Sequence, residues 1–147
     1  MGVHRIPEAI AADLAERLRD RFRAWPLVAH WGVTLAELHP GRAELHLPAG
    51  ALVTNGPRGQ VNGGVLAALA DLASALALST AFDGRMPFAT CDLHIRYLEP
   101  AVETVAARGE VVRLSGRGAV VECRILSRGE LACLATAHFA IRRGLDG

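Results

Sequence analysis

The chain has 147 residues, 51% of them hydrophobic, and a formal net charge of +1. That length suits a single domain over residues 1–147, with apolar side chains enough for a core that needs no staples. The balanced charge points away from nucleic acid and membranes as partners, and every basic side chain is Arg, whose forked guanidinium suits phosphate.

In chain order, Pro7 to Trp25 has the pattern of a helix: Pro7 suits a first turn, and Ile10, Leu14, Leu18, Phe22 and Trp25 recur at three- and four-residue steps. Glu16, Arg17, Asp20 and Arg21 make its wet face, and Pro26 should end it. Gly32 to His39 and Arg42 to Pro48 follow as strands about the turn His39-Pro40-Gly41, with Leu45 and Leu47 alternating with Glu44 and His46. A Gly- and Pro-rich loop runs from Gly50 to Val61.

A second helix is predicted from near Gly63 to about Phe82. Val65, Leu66, Leu69, Leu72, Ala73 and Leu76 fall on one face, and Ala67, Asp71, Ser74, Ala75 and Leu78 on the other. Both faces are largely apolar, so protein should wrap this helix, and the run Val65 to Phe82 reads as too short and too interrupted for a bilayer span. Four strands close the chain. Phe88 to Tyr97 alternates, with Cys91, Leu93, Ile95 and Tyr97 on one face and Thr90, Asp92, His94 and Arg96 on the other. Thr104 to Leu114, Ala119 to Ser127 and Leu131 to Arg142 are joined by short Gly-containing turns that favour antiparallel neighbours. The expected architecture is α+β, a curved antiparallel sheet around a central helix, whose free edges invite pairing into a dimer.

The three cysteines, Cys91, Cys123 and Cys133, lack metal-ligand spacing. Cys123 and Cys133 could approach each other across a hairpin, but small buried thiols in a reducing cytoplasm fit better. The N-terminus lacks a signal-peptide layout, and Ile6 stands where a myristoylation signal after Met1-Gly2 needs Ser or Thr, so a cytoplasmic location is expected.

Chemistry concentrates in the stretch from Asn55 to Asp71. Two glycines, Gly63 and Gly64, open the central helix and leave its first N–H groups uncovered, a place where a carbonyl oxygen or oxyanion can bind. The same residues also suit a plain N-cap at Asn62 with glycines easing a tight entry. Asp71 is the one charge in this helix, costly to bury unless paired or wet, and the small Ala67, Ala68, Ser74 and Ala75 let a substrate approach it. Such a carboxylate can activate water or attack a thioester.

From about Trp31 to Arg142 the sequence resembles the hotdog thioesterases of the phenylacetate-degradation (PaaI) type. The resemblance rests on Asn62-Gly63-Gly64, on Asp71 nine residues after Asn62, and on Cys91-Asp92-Leu93-His94-Ile95-Arg96-Tyr97-Leu98-Glu99-Pro100. It implies a hotdog fold and hydrolysis of an acyl-CoA, with Asp71 as general base or nucleophile and Gly63 or Gly64 donating an N–H to the thioester oxygen. It also implies that Thr90 helps to position water, and that the site lies at a homodimer interface with Asn55 of one chain near Asp71 of the other. Asn62 stands where the family has His, and Asn55 lies one residue further from the glycine pair than the family pattern.

Arg58, Arg96 and Arg117 are candidates for the coenzyme A phosphates. His94 beside Asp92 reads as surface, and His30, His39, His46 and His138 share no spacing that would hold a metal. No Gly-x-Ser-x-Gly elbow occurs. The expected enzyme is thus an acyl-CoA hydrolase without metal or added cofactor, coenzyme A being part of the substrate, assembled as a dimer and further as a tetramer. The rivals are a non-catalytic acyl-CoA binder, suggested by the missing His, and a hotdog hydratase or dehydratase, which the lack of a His beside Asp71 disfavours.

Overall fold

The computed structural model describes residues 4–50 and 52–142. The first three residues, with the Met1-Gly2 pair, and the last five lie outside that range, as does Ala51 of the predicted loop.

The first helix, α1, covers Leu14–Arg23 and buries Leu14, Leu18 and Phe22. It begins seven residues later than the periodicity predicts, because tertiary contacts hold the preceding segment against the body. The His4 ring lies 4.8 Å from that of Phe82, and Ile6 packs at the Gly41 turn, where a Cβ would stand 3.2 Å from it. Pro26 does end α1, since it forces Trp25 into extended backbone, but it then opens a second short helix, α2 (Pro26–Trp31). Proline is well placed there because the first helical N–H needs no partner. Gly32, at φ 70°, stops α2 in the left-handed conformation that glycine adopts without strain, so the strand expected from Gly32 starts at Thr34.

Over the described residues one sheet runs in the order β1 (Thr34–His39), β2 (Arg42–Leu47), β6 (Val105–Leu114), β7 (Gly118–Ser127), β8 (Glu130–Ile141) and β5 (Phe88–Tyr97), every neighbour antiparallel. The predicted loop contains a small ribbon, β3 (Thr54–Asn55) against β4 (Gln60–Val61). The long helix α3 (Gly63–Ser79) and its 3-10 extension Thr80–Phe82 lie in the concave face of the large sheet, which is the hotdog arrangement. Together they are 20 residues long, and an 18-residue stretch of them has a mean hydropathy of 1.8, enough by length and composition to cross a bilayer, yet most of that stretch is buried within the protein. It is a core helix.

The helix and sheet touch backbone to backbone at Gly109 of β6, where a Cβ would lie 2.7 Å from the Ala73 carbonyl oxygen. This wrapping rotates the open stripe of α3 from its predicted position. Ser74 and Leu78, expected beside Asp71, are fully buried, whereas Leu72 shares the half-exposed stripe with Ala67, Ala68, Asp71 and Ala75.

The two edges of the sheet differ. On β1 the register shifts between Leu35 and Glu37, and Arg19 of α1 donates to the Leu35 and Ala36 carbonyls at 3.0 and 3.2 Å. That edge is bulged and occupied. On β5 ten residues form an edge with largely exposed side chains.

The thiols also divide. Cys123 and Cys133 are buried on the neighbouring strands β7 and β8 as free cysteines, and burial pushes their thiols up to about 12 and about 11. Cys91, expected to be buried, is exposed because it occupies a bulge in β5. Since thiolate is the reactive form, Cys123 and Cys133 should resist an aromatic disulfide reagent at pH 8 in the folded protein and react once it is unfolded. Fast labelling of either in native protein, mapped by peptide mass, would contradict their placement.

Candidate active site

Two hydrogen-bonded clusters form at opposite ends of the first half of α3. At its start, Asn62 caps the helix: its side-chain oxygen accepts from the Gly64 and Val65 N–H groups at 2.8 and 3.2 Å. Its amide nitrogen donates to the Asn55 Oδ1 at 2.9 Å, so both ends of the side chain are engaged. The Gly64 N–H is therefore already committed to the cap. Tyr97, at the end of β5, donates its hydroxyl to the Gly63 carbonyl at 2.6 Å. Partial desolvation of that hydroxyl, with Cys133 adding to it, pushes the phenol above its usual range.

Two turns further on, Asp71 is half-buried and accepts a 2.7 Å hydrogen bond from the Thr90 hydroxyl. Ala67, Ala68 and Ala75 flank it on the half-exposed stripe, so a second molecule can approach the carboxylate closely. Thr90 reaches it only because of the β5 bulge. In a regular strand Thr90 would share a face with Asp92, His94 and Arg96. Cys91 is the extra residue between the pairs Thr90↔Phe139 and Asp92↔His138, so the alternation changes phase there. Thr90 consequently faces α3 together with Leu93, Ile95 and Tyr97, while Asp92, His94 and Arg96 face solvent.

The arrangement is similar to a known one. The family model described as the thioesterase superfamily matches residues 58–134. A protein of Halobacterium salinarum named as an esterase is 32% identical over 138 residues, 91% of each chain. The chain belongs to the thioesterase superfamily.

Among solved structures, a variant of the phenylacetic acid degradation protein PaaI from Thermus thermophilus superposes with a TM-score of 0.71 at 31% identity, over 80% of this chain and 99% of that one. A thioesterase family protein from Silicibacter pomeroyi gives 0.77 at 27% identity, over 89% and 99%. The protein is thus a hotdog thioesterase of the PaaI-like type, and thioester hydrolysis is its chemistry.

The remaining predicted residues of this thioesterase are scattered. Arg58 is exposed on the loop that carries Asn55. Arg96 pairs with Leu134 on the solvent side of β5, away from α3. Arg117, in the β6–β7 turn, lines a depression of about 300 Å3 with Arg113 and His138. A second depression, about 370 Å3, lies among Glu37, Arg42, Glu44 and Arg108 on the outer sheet face. There, part-burial works against Glu44 ionising, but hydrogen bonds from His46 and Arg108 outweigh it and hold its carboxyl below the usual range. That network is a self-satisfied surface. The residue that periodicity misses is Tyr97, which alternation assigns to the face of Cys91 with no hint that its hydroxyl meets the helix entry.

Proposed function

We propose that this thioesterase hydrolyses an acyl-CoA to the free acid and coenzyme A in a site shared between two protomers, with Asp71 as general base or nucleophile. One observation carries the shared site. Gly63 and Asp71 are eight residues apart on one helix, which at 1.5 Å per residue separates them by about 12 Å. An amide donor and a catalytic carboxylate must each come within about 3 Å of the reacting centre. Gly63 and Asp71 of the same chain are too far apart to act on one thioester carbonyl.

Strand β5 supplies the remedy. It runs from Thr90, beside Asp71, to Tyr97, beside Gly63. Antiparallel pairing of this edge with a second copy, about a two-fold axis near its middle, brings the Gly63 end of one protomer opposite the Asp71 end of the other. The occupied β1 edge and the open β5 edge support the same pairing. In this reading the acyl carbonyl sits on the Gly63 N–H of one chain. Asp71 of the second, its orientation fixed by Thr90, delivers water or attacks directly. Asn55 comes from the Gly63 side, coenzyme A enters as part of the substrate, and no further cofactor takes part.

A panel of aromatic and short- and medium-chain acyl-CoAs, followed by released thiol, tests the activity; binding without thiol release would favour a non-catalytic carrier. Subunit complementation tests the sharing. Asp71→Asn and Gly63→Val chains, each inactive alone, should on mixing recover about a quarter of wild-type activity, because half of the dimers are mixed and each has one intact site. No recovery despite demonstrated subunit exchange would place the whole site in one chain.

A further inference from the structure

The peptide unit between Gly63 and Gly64 is gripped at both of its polar ends. Its carbonyl accepts from the Tyr97 hydroxyl at 2.6 Å, and its N–H donates to the Asn62 side chain at 2.8 Å. Asn62 is in turn anchored on Asn55 at 2.9 Å. The Tyr97 ring also closes over Gly63, where a Cβ would meet ring carbons at 3.3 Å. Glycine has more backbone freedom to lose than any other residue, so two in succession at a helix entry are poorly ordered unless something holds them. Here the holding groups are the cap side chain of Asn62, braced by Asn55 of the loop, and the Tyr97 side chain from the far end of β5.

We propose that Tyr97 is a positioning residue for hydrolysis: its hydroxyl fixes the glycine pair so that the Gly63 N–H stays aimed at the thioester oxygen. The proposal rests on the reading of the α3 entry as the place where that oxygen binds. Preorganisation matters because a donor that must first be ordered loses part of what it contributes to the transition state. The bulge at Cys91 makes the arrangement possible. Thr90 and Tyr97 are seven residues apart, an odd spacing that would put them on opposite faces of a regular strand; the extra residue turns both toward α3. One strand thus orients the carboxylate at one end and the amide donor at the other.

Tyr97→Phe is the test, since it keeps the ring and removes only the hydroxyl. Acyl-CoA hydrolysis by the full-length variant should show kcat down about tenfold with KM within about twofold, the pattern of an interaction that matters in the transition state. In the unliganded protein, hydrogen exchange at the Gly64 amide should quicken by about fivefold or more, while the melting temperature stays near wild type. An unchanged kcat, or unchanged exchange at Gly64, overturns the proposal. A fall in kcat matched by a general loss of stability also overturns it, as that is what a merely structural tyrosine would give. Asp71→Asn run alongside separates the two readings. If it abolishes hydrolysis while Tyr97→Phe does nothing, the site stands and the tyrosine's role falls. If Asp71→Asn stays active, the site itself is wrong.

Discussion

Asp71→Asn should reduce kcat/KM for acyl-CoA hydrolysis by roughly a hundred- to ten-thousand-fold while leaving the melting curve almost unchanged. The asparagine is nearly the same shape and keeps an oxygen to accept the 2.7 Å hydrogen bond from Thr90, so the packing of the half-buried stripe is preserved. What disappears is the negative charge, and with it both the capacity to take a proton from water and the capacity to attack a thioester. The other side chains of this stripe are alanines and Leu72, none of which can take a proton or attack a thioester in its place. Thiol release across the acyl-CoA panel gives the rate, and circular dichroism with a thermal melt checks the fold. Activity within about tenfold of wild type would remove Asp71 from the chemistry.

The largest effect on stability should come from Gly109→Ala. The added methyl would stand 2.7 Å from the Ala73 oxygen, 2.9 Å from its carbonyl carbon and 3.1 Å from the Ser74 nitrogen. All three are backbone atoms of α3, so no rotamer change relieves the clash; the helix must lift from the sheet. Overpacking of this kind costs about 3 kcal/mol in a tight core, and here it also loosens contacts along the rest of the helix. A urea titration should show a lower midpoint at unchanged slope. A midpoint equal to wild type would mean that α3 does not touch β6 at this level.

How far the sequence reveals this molecule depends on the range of the interaction involved. Strands β2, β6, β7 and β8 follow from local alternation, because each buries one side, and the central helix follows from its long, nearly all-apolar run. The Asn62-Gly63-Gly64 entry and Asp71 are equally visible, since unusual residues in a short span carry their own signal. Other features are hidden, among them the β3–β4 ribbon and the side of α3 left open. The start of α1 depends on where His4 and Ile6 dock, contacts with Phe82 and Gly41 that no helical pattern contains. Pro26 marks a boundary in either case, but whether a new helix begins there depends on how Val28 and its neighbours pack. The extra residue at Cys91 leaves the sequence alternation intact while reversing its structural meaning, so that alternation alone assigns Thr90 to the wrong face and gives no sign of the part Tyr97 plays.

Arg19 has a consequence for how copies of this chain can grow into larger assemblies. A sheet whose two margins both accepted a neighbour would add strands without end and build a fibre. With its guanidinium seated on the carbonyls of Leu35 and Ala36, one margin is plugged from within the same molecule. In the proposed dimer, strand addition at the remaining margin would use it up for both participants at once, so lateral extension would terminate after a single event.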